Sequence, residues 1–157
     1  MKQFILNFRK LWSLDCIDEL PEYNGIYCVY LIIPSSIGRP ESIRLIYIGK
    51  ADEEGGIRKR FLSGHHKMSQ FEKYVSEGNQ VFISCSPVKR PENKVVSSRD
   101  IHRVESALIY SQQPRLNGKQ TDSFNFQDTI VNIKGENALL EEGIWEGDKG
   151  NVTINLY

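Results

Sequence analysis

The sequence has few cysteines, no long apolar run and no recognisable export segment. Cysteine occurs only as Cys16, Cys28 and Cys85, widely spaced and without a CxxC pair, which argues against a cysteine-based zinc site and favours reduced core residues. No apolar run approaches a membrane span, and no export segment with a small-residue cleavage site is found at the N-terminus. We therefore expect a cytoplasmic protein with no membrane role.

Net charge is also lacking, because 20 Lys and Arg balance 20 Asp and Glu. The charges are nevertheless distributed unevenly along the chain. Residues 39–119 contain fifteen Lys and Arg against nine Asp and Glu, whereas residues 120–157 contain two against seven. Phosphate contacts need local positive potential rather than global charge, so the basic middle is compatible with a nucleic-acid partner. A basic region that only solvates the surface fits these counts equally well.

What is present is enough for one folded domain, since 157 residues with 39% hydrophobic content can bury a substantial core. Runs of β-branched and aromatic residues predict three strands, at 25–33, 43–49 and 81–85. The first two are neighbours in the chain, joined by a nine-residue polar loop, and should pair as an antiparallel hairpin. We therefore predict an α/β (α+β) fold with a small central, largely antiparallel three-stranded sheet flanked by helices.

Helical spacing of apolar residues predicts the flanking elements, with helices within residues 1–21 and over 57–63, 68–75 and 99–112. Ser98 is expected to cap the last helix, and Pro114 to end it. Two weaker strands, near 129–133 and 152–156, predict a short C-terminal β extension, which we expect to be a solvated hairpin.

Two tripeptides in the predicted hairpin form a motif, Gly25-Ile26-Tyr27 on the first strand and Tyr47-Ile48-Gly49 on the second. They are followed in order by Lys50, a basic helix with Arg60, a later helix with Glu105, and Asn117. This order resembles the GIY-YIG nuclease family over roughly residues 22–119. The chain then divides into an N-terminal helical extension (1–21), a GIY-YIG-like catalytic domain (22–119) and an acidic C-terminal extension (120–157).

The resemblance implies a metal-dependent endonuclease that hydrolyses DNA, with RNA not excluded, and it assigns the main roles. Tyr27 and Tyr47 would lie at the position of the general base, a role that the family gives to one such tyrosine. Arg60 would clamp the phosphate, and Glu105 would hold the metal, Mg²⁺ or Mn²⁺. The chemistry of the residue types agrees, because a guanidinium matches two phosphate oxygens and Mg²⁺ is commonly held by one or two carboxylates. A free phenol has a pKa near 10, so a tyrosine base would need a nearby cation to lower it.

The remaining candidates have structural alternatives. His65 occupies a region where some family members place a histidine that assists the tyrosine or the phosphate. Asn117 could hydrogen-bond phosphate or orient a catalytic group, or only form a turn before Gly118. Lys50, Arg58 and Lys59 are predicted to bind nucleic acid, and solvated surface cations are the alternative.

Two departures from the family lie in loops: a long connection at 34–42 and an acidic insert at 52–56. Insertions there cost little, but carboxylates beside a phosphate cleft oppose the substrate unless they point outward or bind metal. A catalytically inactive nucleic-acid-binding relative and a protein-interaction domain on the same scaffold are therefore alternative functions. A homodimer is not indicated, although double-strand cleavage would need two chains or two sequential events.

Overall fold

The computed structural model describes residues 1–135 and 139–157, and it has a mixed α/β fold. Its strands are β1 (Lys2–Asn7), β2 (Leu11–Ser13), β3 (Gly25–Ile33), β4 (Ser42–Ala51), β5 (Gln80–Ser86), β6 (Thr129–Lys134), β7 (Gly143–Trp145) and β8 (Val152–Leu156). Its α-helices are α1 (Gly56–Leu62), α2 (Met68–Ser76) and α3 (Ser98–Gln112), with short 3-10 segments at Leu14–Glu19 and Pro91–Asn93. Within the described ranges, every helix is too short or too polar to traverse a lipid bilayer.

The strands form two four-stranded sheets, so the prediction of a single three-stranded sheet is wrong. One sheet has the order β2-β5-β3-β4 with every pair antiparallel, and we call it the antiparallel sheet. It contains the predicted β3–β4 hairpin, which is confirmed, and the predicted third strand, β5. The other, which we call the mixed sheet, has the order β1-β6-β8-β7.

The prediction of a helix within residues 1–21 is wrong, because the segment forms β1, β2 and a 3-10 turn. Phe4, Leu6 and Phe8 alternate along the chain and are completely buried, and β1 pairs in parallel with β6. Burying each such side chain is worth about 1.5–3 kcal/mol, whereas helix propensities differ by only about 0.7 kcal/mol per ordinary residue. Tertiary burial therefore decides the conformation of this segment.

The acidic tail forms part of the core instead of the expected solvated hairpin. Its strands β6 and β8 are parallel neighbours, and the unpredicted strand β7 pairs antiparallel with β8. Phe124, Val131 and Ile154 of this tail are buried in the same cluster as Phe4 of β1. The two flanks of the GIY-YIG-like segment thus meet in one sheet.

Helix α3 packs between the two sheets and fixes the position of Glu105. Val104, Ala107 and Leu108 are fully buried in the cluster that unites both sheets. Ser97, and not the predicted Ser98, caps the helix through a reciprocal pair of hydrogen bonds with Asp100. A second apolar cluster covers the opposite face of the antiparallel sheet, where α1 and α2 pack.

Candidate active site

The hairpin register brings the two motif tyrosines to one face of the antiparallel sheet. Tyr27 is paired with Gly49, and Val29 with Tyr47, so the two tyrosines are diagonal neighbours on adjacent strands. Their ring centroids lie 6.2 Å apart. Tyr27 is completely buried and Tyr47 is 8% exposed, so the two phenols differ in access to solvent.

Gly49 leaves room for the Tyr27 ring, which crosses directly over it. A Cβ atom added at Gly49 would lie 2.3 Å from the Tyr27 hydroxyl oxygen, well inside van der Waals contact. Gly25, at the start of the same motif, is equally confined, because its Cβ would lie 2.1 Å from the carbonyl oxygen of Ser86. Both motif glycines are therefore required by close packing.

Two adjoining pockets of about 310 and 420 Å³ form a cleft beside β3 and β4. Tyr47 and Glu105 line both pockets. The first pocket also has Tyr27, Lys50, Lys59 and Arg60 in its walls, and the second has His66 and Asn117. We call this the hairpin cleft. It brings together every predicted site residue except Arg58 and His65.

The three basic residues of α1 occupy different positions. Arg60 lines the hairpin cleft; burial lowers its pKa, but Tyr27, Tyr47 and Glu105 outweigh that effect and leave the pKa raised, so its charge is permanent. Lys59 lines the same pocket. Arg58 instead donates to the carbonyl of Leu20 and pairs with Glu22 at 2.7 Å, so the structure does not bring it to the cleft.

Glu105 is the carboxylate held deepest in the cleft, with its side chain 12% exposed. Burial raises its pKa from 4.5 to about 7, and nearby Lys50 opposes that shift. Arg103, the nearest arginine in sequence, bonds instead to Thr129 and to two backbone carbonyls before β6. Glu105 therefore lacks a structural arginine partner and is available to a cation.

The surroundings of Glu105 fit a magnesium ion held mainly by water and substrate. In residues 1–135 and 139–157, no three His, Cys, Asp or Glu side chains converge as a metal cage. Mg²⁺ needs no such cage, because one carboxylate, several waters and phosphate oxygens complete its octahedron. Divalent cation binding would also favour the ionised form of a carboxylate whose pKa is raised by burial.

His65 lies beneath the cleft and is bonded to Tyr27. Its Nδ1 accepts a hydrogen bond from the backbone N–H of Lys67 at 3.0 Å, which assigns the ring proton to Nε2. Nε2 therefore donates to the Tyr27 hydroxyl, 2.6 Å away. Burial, with the charges of His66, Arg60 and Lys67, lowers the His65 pKa to about 3, so the ring is neutral near pH 7.

The surroundings of both cleft tyrosines favour the protonated phenol. Burial is the largest cause that raises the pKa of Tyr27, Tyr47 adds to it, and Arg60 opposes it. Burial and Glu105 likewise raise the pKa of Tyr47 against the effect of Arg60. The cation effect expected for a tyrosine base is therefore present but smaller than the cost of desolvation.

Asn117 lines the second pocket, and its side-chain amide bonds to the backbone of the motif strand. Its amide donates to the carbonyl of Ile48 at 2.9 Å and accepts from the N–H of Ile48 at 3.0 Å. The sequence leaves three roles open for Asn117. The bonds to Ile48 match the orienting role, because they hold the strand segment Tyr47-Ile48-Gly49, and the Asn117 backbone N–H also donates to the Pro114 carbonyl at 3.1 Å in the turn before Gly118. The bonds to Ile48 use one of the two amide N–H donors, so one donor remains for the second pocket.

Lys50 forms a salt bridge with Asp52, the first residue of the acidic insert at 52–56. The Lys50 ammonium lies 2.8 Å from Asp52, whose carboxylate also accepts from Ser98. Hydrogen bonding from Lys50 is the largest cause that lowers the Asp52 pKa. Glu53 and Glu54 remain exposed in the wall of the first pocket. Lys50 is therefore a weaker phosphate contact than its place after the motif suggests.

Three residues near the site were not selected from the sequence. His66 is exposed, and its Nε2 lies 3.4 Å from the Tyr47 hydroxyl. His102, expected to be an incidental helix residue, has Nδ1 3.6 Å from the Glu105 carboxylate, one helical turn away. Gln120 lines the second pocket, and hydrogen bonding from it lowers the Glu105 pKa. The adjacent histidines were the available signal for His66; Gln120 depends on tertiary folding alone.

A comparison of the chain with models of protein families, with curated proteins and with solved structures finds no match. The GIY-YIG resemblance consequently rests on the motif residues and their order along the chain.

Proposed function

We propose that this chain is a metal-dependent endonuclease of the GIY-YIG type that hydrolyses phosphodiester bonds of DNA. The observation that carries the proposal is the convergence of Tyr27, Tyr47, Arg60 and Glu105 on one cleft, although 78 residues separate the first from the last. These residues supply a permanent cation, hydrogen-bonding hydroxyls and a carboxylate suited to a divalent metal. Phosphodiester hydrolysis needs that combination.

Arg60 would bind the scissile phosphate, because its guanidinium can donate to two non-bridging oxygens at once. Its position in the wall beside both tyrosines supports this role. Lys59 would attract and align the backbone without taking part in the reaction. Glu105 would hold Mg²⁺ or Mn²⁺, which when bound would polarise the phosphate and stabilise charge on the leaving oxygen.

The proton of the attacking water would pass to His66 through Tyr47. Tyr47 holds its proton, so it can give that proton to His66 Nε2 while accepting one from water. Burial, followed by the charges of Arg60, Lys67 and Lys119, lowers the His66 pKa below 6.5, which keeps the imidazole neutral and able to accept. The water oxygen would bond to phosphorus and the bond to the leaving oxygen would break. The leaving oxygen would take a proton from solvent, so that the products are a phosphate end and a hydroxyl end.

Tyr27 would act as a hydrogen-bond donor. His65 donates to its oxygen, so the Tyr27 hydroxyl proton remains free to point into the cleft. A donor held in this way stabilises negative charge that develops on a phosphate oxygen. The raised pKa of Tyr27 suits a donor better than a base.

The direct test is incubation of supercoiled plasmid with the purified chain in Mg²⁺, in Mn²⁺ and in EDTA. We expect nicked and then linear plasmid with either metal and intact plasmid in EDTA. A labelled RNA of matched sequence tests the second substrate. Salt-dependent DNA binding without cleavage would indicate an inactive binding relative, and the absence of binding would indicate a protein-interaction domain.

The orienting role of His65 predicts different effects for two amide substitutions. The side-chain nitrogen of His65→Gln can replace the Nε2 donor to Tyr27, whereas His65→Asn is too short to reach it. We expect His65→Asn to cleave about fivefold more slowly than His65→Gln, since one hydrogen bond is worth about 1 kcal/mol. Single-turnover rates on one duplex measure the difference, and equal rates in folded variants would contradict the role.

A further inference from the structure

A second basic surface lies at the opposite edge of the antiparallel sheet from the hairpin cleft. It is a groove of about 440 Å³, and the described residues that line it include four cations and no carboxylate. The cations are Arg9, Lys10, Lys89 and Lys134. We call it the flank groove, because three of these four residues belong to the segments outside residues 22–119. All four residues are exposed, and none forms a salt bridge with any residue in the described ranges.

Four exposed cations around one concave surface create a local positive potential that attracts a polyanion. The chain has a net charge of zero, and its tail is acidic, yet the described lining residues of this groove include no Asp or Glu. Lys134 lies at the end of β6, and Arg9 and Lys10 follow β1. The mixed sheet therefore brings cations from the N-terminal and C-terminal segments to the same groove. The folding of the acidic tail therefore concentrates positive charge that linear charge counts do not reveal.

The position of the groove relates it to the cleft. Cys85, in the groove lining, is paired in register with Tyr27, which lines the cleft from the neighbouring strand. Two strand spacings, about 10 Å, separate β5 from β4. That span equals about three base pairs of B-form DNA at 3.4 Å each. Tyr23 lies between the two sites, since it lines the groove while its carbonyl accepts from Ile57 in α1.

Aromatic side chains accompany the cations. Trp12 is half-buried in the groove with the Lys10 ammonium 5.1 Å from its ring centroid, and Tyr23 is 38% exposed. Glu22, the neighbour of Tyr23 in the chain, is paired with Arg58 at 2.7 Å. Cations interleaved with aromatic rings are typical of grooves that follow a nucleic-acid backbone.

We propose that the flank groove binds the sugar–phosphate backbone of the DNA that extends beyond the cleavage site. This inference rests on the proposed nuclease function, because it assigns the groove to the substrate of the same cleft. Lys89 and Lys134 contact phosphates, and Arg9 and Lys10 continue the track. The groove adds affinity without contacting the reacting phosphate.

The test measures DNA binding in EDTA, so that it does not depend on cleavage. A 20-base-pair duplex is titrated with the wild-type chain, with Lys89→Gln/Lys134→Gln, and with the matched control Arg39→Gln/Arg44→Gln. The control removes the same charge from exposed residues at the other end of the β3–β4 hairpin. We expect the slope of log Kobs against log salt to fall by about 2 for the groove variant only, at 0.9 per phosphate contact.

A second measurement does not rely on charge variants. Trp145→Phe leaves Trp12 as the single tryptophan of the chain, and its fluorescence should change when the duplex binds. Wild-type binding with equal slopes in both charge variants and unchanged Trp12 emission would overturn the groove while leaving the nuclease proposal intact. The absence of any salt-dependent DNA binding by the wild type would overturn both proposals together.

Discussion

Substitution of Arg60 by alanine is expected to reduce the cleavage rate about a thousandfold, the lower end of the effect of a transition-state arginine. Arg60 is the permanent cation beside both tyrosines, and its fork can follow the phosphate oxygens as charge accumulates on them. Affinity for DNA should fall only by the loss of one phosphate contact, as for a neighbouring lysine, because the remaining cations would still bind the backbone. The loss should therefore appear in the rate at saturating DNA.

Lys59→Ala is the matched control for this prediction, since it removes one charge from the adjacent residue in the same pocket wall. We expect this variant to keep the saturated rate and to lose about 0.9 from the salt slope of binding. Arg60→Lys should restore charge but not the fork, and so recover only part of the rate. Equal rates for folded Arg60→Ala and Lys59→Ala would contradict the clamp role.

Glu105→Gln is expected to abolish metal-dependent cleavage and at the same time to stabilise the fold above neutral pH. In EDTA, the unfolded chain releases the Glu105 proton near pH 4.5, whereas the folded chain keeps it until about pH 7. Stability contributed by this group is thus full below pH 4.5 and is lost as the pH rises to about 7. At about 1.4 kcal/mol per unit of pKa shift, the loss is about 3 kcal/mol.

Glutamine has the same shape and no ionisation, so the variant should match wild type at pH 4 and exceed it by a few kcal/mol at pH 8. Denaturant unfolding at both pH values measures this difference, with the exposed Glu72→Gln as a control that should follow wild type. Adding Mg²⁺ should raise the melting temperature of wild type at pH 8 but not that of Glu105→Gln. If the difference in unfolding free energy between wild type and Glu105→Gln were the same at both pH values, Glu105 would not be a buried carboxylate available to a metal.

The central hairpin and the helix that carries Glu105 could be predicted because their signals are local. The apolar run Gly25–Ile33 has no competing helical pattern, and its partner is the next strand along the chain. The N-terminal segment has both periodicities, since Phe4, Leu6 and Phe8 alternate while other apolar residues recur at helical spacing. Only its pairing with β6, more than 120 residues away, selects the strand.

The site was predictable as a set of residues but not as a set of contacts. Order along the chain was enough to nominate Tyr27, Tyr47, Arg60 and Glu105. Arg58 points away from the cleft because it donates to the carbonyl of Leu20. Asn117 bonds to Ile48, which lies in a strand distant in sequence. Likewise, the flank groove arises only when the two termini meet in the mixed sheet. Contacts of this kind leave no pattern in the sequence.

The central claim is that the hairpin cleft hydrolyses DNA with a divalent metal. Its most direct test is single-turnover cleavage of an end-labelled duplex by wild type and by the double variant Arg60→Ala/Glu105→Gln, purified side by side and checked for folding. We predict cleavage by wild type in Mg²⁺ or Mn²⁺ and none by the double variant. Cleavage at the same rate by both chains, or intact DNA bound to folded wild type with metal present, would contradict the claim.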